Sequence, residues 1–362
     1  MSATGFLDAC GFFPAAGGTA DFVVSSAVTG YQTPASAGAT NGAVYSYRAQ
    51  STDMSEWEIG FGAYATGTTT LARTTVVASS TGSKVNFSSP PAVYITALSA
   101  DLWKAINARE VLTANRTYYV RTDGNDANNG LANTSGGAFL TIQKAWDVIC
   151  ATLDLAGFTV TIQVGDGTYT SVLSITVSPV GGNVIINGNS VTPANVVWST
   201  TNSSCIFASA PCNVTVNNLE MRTTTTQSCI RASNGAIVFV GSGMRFGACA
   251  EAHLRSDIGG VIRNTGSYSI VGSSVNHLYL NGGAVALNSA TITLSGTPAF
   301  STAFVSILGP CLCIIFGMTY SGSATGVRAN VSGNGVLNTF GSGQGSLPGN
   351  SNGTPTTGGQ IL

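Results

Sequence analysis

"SCIFASAPCNV" (204–214) and "SCIRASNGAIV" (228–238) lie 24 residues apart, and Cys205, Ile206, Ala208, Ser209 and Val214 return in the second as Cys229, Ile230, Ala232, Ser233 and Val238. Working outward, glycines at 235, 259, 283, 309 and 333 follow at intervals of 24, 24, 26 and 24 residues. A fixed period in the low twenties marks stacked repeats, each of which buries its apolar side only against its neighbours. With the glycines as reference, three short strands fit into each period. Ile230, Leu254, Leu278 and Phe304 fall in the first, and Ile237, Val261, Val285 and Cys311 open the second. Met244/Phe246, Tyr268/Ile270, Ile292/Leu294 and Met318/Tyr320 form the third. No room remains for a helix in each turn, so the pattern predicts a right-handed parallel β-helix of six or seven coils rather than leucine-rich repeats.

Composition agrees with strands and narrows the partners. Charged residues make up 8% of the 362 residues, where about 25% is usual, and the net charge is −1. Nucleic acid and anionic membrane surfaces therefore have no electrostatic footing. No apolar run reaches membrane-spanning length, and residues 1–18 do not read as a secretory signal. Eight cysteines without metal spacing read as reduced thiols, with Cys205 and Cys229 stacked as a buried ladder. The low charge and a mean hydropathy of +0.27 point to apolar surface covered by self-association.

The expected architecture is all-β in four parts. Residues 1–97, with "AVYSYRA" (43–49) and "WEIGFGAY" (57–64), read as a small antiparallel domain. Residues 98–117 read as a helical neck, with a helix over 98–112 where chains would meet. The β-helix spans 118–340, of which 118–157 are an opening turn and a capping helix over 138–155. Residues 341–362 read as a Gly/Pro-rich extended tail.

Candidate chemistry is sparse. Catalytic candidates are Glu220 and Asp257, since glycan cleavage uses paired carboxylates. On the first strand of the coil, Arg231, Arg255 and Tyr279 share one outward register and Ser233, Asp257 and Asn281 the next. These six form an exterior strip suited to a sugar, with polar groups for hydroxyls and a ring for stacking. His253 and His277 are one coil apart, and without a third ligand they read as a solvated ladder. Asp123, Asn125, Asp126 and Asn128 gather oxygen ligands in "YYVRTDGNDANNG" (118–130), but Asx-turn chemistry explains them better than a calcium loop. No cofactor is expected.

"YYVRTDGNDANNGLANTSGGAFLTIQKAWDVI" (118–149) resembles the opening segment of pectate-lyase-like right-handed β-helices, in which "TIQKA" begins the capping helix. The 31–97 segment, with "WEIGFGAY", "LARTTVVASS" and "VNFSSP", resembles a module that precedes the receptor-binding part of bacteriophage tail fibres and tailspikes. The closing "LPGNSNGTPTTGGQIL" is similar to their C-terminal ends. The resemblance implies a virion-displayed homotrimer made in the host cytoplasm. It would attach to tail or capsid proteins through residues 1–97 and present its β-helix to host-surface polysaccharide. No catalytic motif of the family transfers. A tailspike depolymerase and a ligand-free decoration fibre are the other readings.

Overall fold

A computed structural model describes residues 3–106 and 109–362. The chain divides into two units, Met1–Ala108 and Arg109–Leu362.

The first unit is antiparallel: β1 (Gly11–Pro14), β2 (Phe22–Ala27), β3 (Val44–Gln50), β4 (Trp57–Ala65), β5 (Thr70–Leu71), β6 (Thr75–Ser79) and β7 (Ala92–Ile95). The order β3-β7-β1-β2-β5-β4-β6, with β3 also paired to β4, closes the sheet on itself and removes free edges from all strands but β6. Phe12, Phe22, Tyr47, Tyr64 and Leu71 fill the interior. The "GFG" within β4 is set by close approach, because a Cβ at Gly62 would lie 1.7 Å from the Ala72 carbonyl oxygen. A helix, α1 (Ser99–Ile106), follows. It is shorter than the 98–112 expected from the sequence. Asn107 and Ala108, inside that expectation, lie outside the described residues, and Glu110–Val111 instead forms a short strand paired with Leu153–Asp154.

One ion pair is sealed in this unit. The side chains of Arg73 and Glu58 are fully buried and meet at 2.6 Å. Tyr47 Oη (2.6 Å) and the Val85 amide (2.8 Å) also donate to Glu58, while Arg73 donates to the carbonyls of Gly18, Ala20 and Val85. The guanidinium lies 4.7 Å from the Phe22 ring centroid. Burial pushes the Glu58 carboxyl up, but its hydrogen bonds to Arg73, Tyr47 and Val85 outweigh that and hold it below the usual range.

The second unit is a parallel β-solenoid of about eight turns. Its coils contribute in order to three sheets of ten, seven and eight strands, here the first, second and third faces. One coil runs through Cys212–Asn217, Glu220–Thr224 and Ile230–Ala232, and the next through Ala236–Val240, Met244–Phe246 and Cys249–Asp257. Alternation puts every second residue inward, as with Val214, Val238 and Ile262, or Met221, Phe246 and Ile270. The repeated glycines are corner residues: Gly235 and Gly259 have φ of +84° and +73°, and each donates its N–H to the same corner one coil on. In the next coil Gly282, not Gly283, holds this position, with φ +81°. Register accordingly departs from expectation by one or two residues around and beyond it. Leu278 pairs with Val305 rather than Phe304, Val261 with Ala284 rather than Val285, and Val285 with Cys313 rather than Cys311. Ile292 likewise opposes Tyr320 rather than Met318.

Helix α2 (Ile142–Thr152) caps the stack, burying Ile142, Ala145, Trp146, Ile149 and Cys150. It begins at Thr141, whose hydroxyl accepts from the Lys144 amide. The segment 341–362 is not an extended tail. Gln360–Ile361 pairs in parallel with Val336–Leu337, Arg328 N–H donates to Ser351 and Asn334 N–H to Thr357, so the segment wraps a last partial coil.

The histidines depart furthest from expectation. His253 and His277 are fully buried, not solvated, among Phe246, Tyr268, Phe300 and Phe304. His253 Nε2–H donates to the Gly247 carbonyl (3.0 Å), which leaves its Nδ1 to accept from His277 Nδ1–H (3.1 Å). His277 Nε2 then accepts from Tyr268 Oη (2.8 Å). The chain is satisfied with both rings neutral. Burial pushes His253 down to about 4, and burial plus the neighbouring His253 pushes His277 well below its usual value. The eight cysteines are free, and Cys205 and Cys229 form the expected interior ladder.

Two outcomes follow. Glu58→Gln leaves Arg73 charged and unneutralised, and should cost the first unit about 3–5 kcal/mol in urea unfolding; a loss below about 1 kcal/mol would contradict the sealed pair. For the histidines, both states are neutral above about pH 6.5, while below it only the unfolded chain takes up protons. Stability of the solenoid should therefore fall by up to about 2.7 kcal/mol per pH unit between pH 6.5 and 5. A flat urea midpoint across that range would rule out a buried neutral pair.

Candidate functional site

The third face carries the predicted strip. Parallel pairing aligns Phe207, Arg231, Arg255 and Tyr279 in one outward row, because each lies between two buried neighbours on its strand. The Arg231 guanidinium lies 5.0 Å from the Phe207 ring centroid and that of Arg255 5.0 Å from Tyr279. Asp257 joins the two arginines: Arg231 Nε donates to it at 2.6 Å, and Arg255 Nε at 3.0 and 3.1 Å to its two oxygens. Arg255 also donates to Glu251 at 3.1 Å, and Ser228 Oγ meets the same carboxylate at 3.4 Å. The row thus alternates ring, cation, cation, ring, with its charge balanced internally. A hollow of about 210 Å³ opens beside it, lined by Ser228, Glu251, Ala252, Arg255, Asn276 and Tyr279.

Of the six strip residues, five are gathered as expected. Asn281 is exposed in register with Asp257. Asp257 itself is nearly buried beneath its arginines. Ser233 is the exception: at the corner before Gly235 it turns into the structure, where its hydroxyl donates to the Ala208 carbonyl. Glu251 and Ser228 were missed as neighbours. Ser228 precedes the strand Ile230–Ala232, and Glu251 lies within Cys249–Asp257 where the register against the next coil shifts between Cys249 and Ala252, so period counting does not place them.

Glu220 and Asp257 do not meet as a carboxylate pair, since Glu220 lies on the second face and Asp257 on the third. Glu220 is almost wholly covered by Arg222 and Arg245, whose ion pairs with it span 2.5 and 3.1 Å. It forms the floor of a cleft of about 340 Å³ with Gly247 and Gly272. Each candidate carboxylate is therefore clamped by two arginines rather than paired with a second carboxylate.

A larger cleft lies elsewhere. About 610 Å³ is bounded by Arg121, Asp123, Asn133, Gln163, Asp166, Asn187 and Asn189 at the first coils. Its charged groups are already engaged: Arg121 chelates Asp123 at 2.8 and 3.0 Å, and Asp166 accepts from Asn189 and Asn195. Its size comes from the corner loops rather than from converging reactive groups, so the strip is the better organised surface. Of the four calcium candidates, Asp123 is held by Arg121. Asn125 closes an Asx turn onto Ala127, Asn128 donates to Ser135 and Ala138, and Asp126 accepts from the Leu140 and Thr141 amides and the Thr141 hydroxyl. Asp126 thereby anchors the start of α2, and the four point into separate structural bonds. Among the described residues, no three His, Cys, Asp or Glu side chains converge to hold a metal ion, and no helix is long and apolar enough to cross a membrane.

Compared with models of protein families, with curated proteins and with solved structures, the chain matches none of them.

Proposed function

We propose that the protein is a display scaffold that binds saccharide along the third face of its solenoid without cleaving it. The observation that carries this reading is the aligned row Phe207–Arg231–Arg255–Tyr279 with Asp257 and Glu251 beside it. Neutral sugars are recognised by such surfaces, with ring faces stacking on aromatics and vicinal hydroxyls bridging fixed donors and acceptors. The arginines are already held by carboxylates, so hydroxyls fit the row better than a competing anion does. The resemblance of residues 31–97 to tail-fibre modules extends the reading. The first unit would dock on a virus particle, and a homotrimer would present the solenoid to host-surface polysaccharide. A depolymerase is the second reading, and the buried Glu220 in its cleft is what favours it.

On a glycan array, and by titration with any glycan retained, Tyr279→Ala and Arg255→Ala should each weaken binding about tenfold, the worth of one stacked or bidentate contact. Absence of binding by the intact protein would leave only a ligand-free fibre. Release of reducing ends from host polysaccharide should not occur. Release that is abolished by Glu220→Gln would replace binding by cleavage.

A further inference from the structure

We infer that the first face of the solenoid is where copies of this chain associate. All three faces share one backbone geometry, so their exteriors compare directly. The outward row of the second face reads Val197, Glu220, Arg245, Ser269, Thr293 and Ser321, and that of the third carries the arginine strip. From the strand Ala236–Val240 onward, the outward rows of the first face are mostly apolar instead: Ile237, Val261, Ala284, Leu312 and Val336 in one, with Phe239, Ala286 and Ile314 in the next, where Arg263 and Asn338 are the polar members. Leu312 and Phe316 are 43% and 48% exposed, and the Phe316 ring meets the exposed Phe340 edge-on at 4.9 Å. Parallel sheets are ordinarily covered on both sides, and here only the inner side is.

The area argues for a second copy as the cover. Ten strands at about 4.8 Å and an outward width of about 17 Å make roughly 800 Å² per copy, the size of a standard stable interface. Half of it is apolar. The other half, on the earlier strands of the stack, carries the amides Gln163, Asn187 and Asn217, so the apolar contact lies on the later coils. Its apolar half holds one charge, Arg263, whose stem can carry the guanidinium to the rim. With so little charge, the face has nothing to select an unlike partner, whereas another copy is present at equal concentration from synthesis onward. The inference deepens the assembly part of the proposed function and is independent of saccharide binding.

Sedimentation velocity across about 1–50 µM tests it on the full chain. The wild type is expected to run at a multiple of 36.6 kDa. Val261→Glu with Ile314→Glu, both outward, should bring it to a single chain with unchanged circular dichroism, while Thr293→Glu on the second face should leave the mass unaltered. A wild type at 36.6 kDa throughout, or a folded double variant of undiminished mass, overturns the inference. Should the double variant fail to fold, Ala286→benzoylphenylalanine decides. Photo-crosslinks into the first face of another copy support the inference, and crosslinks elsewhere or none overturn it. Saccharide binding retained by the dissociated variant would separate this result from the fate of the strip.

Discussion

The parallel backbone pairing of each coil with the next governs where side chains of the solenoid lie. Residue-for-residue pairing such as Ile206, Ile230, Leu254 and Leu278 places like positions about 4.8 Å apart, and a slip of one residue would exchange inside for outside along a whole strand. Coils of unequal length are therefore tolerated only where the slack falls at corners or bulges. The shift to Gly282 and the register breaks near Cys249 and Ser274 are such places. Within that frame the interior needs only to be filled. A histidine pair serves there as well as leucine does, provided each ring nitrogen finds its partner.

This division between a constrained interior and a free exterior explains what the sequence disclosed. Repeated glycines revealed the period because a left-handed corner recurs once per coil, and period-2 alternation revealed the outward row of Arg231, Arg255 and Tyr279. The β-helix and the antiparallel first unit were legible from period and alternation, and the capping helix from the helical spacing of Ile142, Ala145, Trp146 and Ile149. His253 and His277 were misread because polarity was taken to mean exposure, whereas the two rings satisfy each other one coil apart. Ser233 was misread because alternation stops at a corner. Residues 341–362 look featureless in composition, yet parallel pairing uses backbone groups that glycine and asparagine also possess. Glu251 was not placed beside Arg255 because a bulge breaks the count that would have brought it there.

The scarcity of charge takes on meaning once the faces are separated. Glu220 with Arg222 and Arg245, and Asp257 with Arg231 and Arg255, neutralise one another locally. Such clusters fix side-chain geometry on surfaces that would otherwise be mobile, and they give the third face a preorganised set of donors beside two rings. The first unit uses the same device internally, with Arg73 and Glu58 joined inside the closed sheet.

Residue-resolved hydrogen exchange, with and without a glycan bound by the protein, tests the central claim that the stack holds the fold while one exterior strip does the binding. The expected result is increased protection confined to residues 228–233, 251–257 and 276–281, with the interior strands of the other faces unchanged. Protection that rises at Glu220 and Arg245 instead, or spreads evenly over every coil, would contradict it.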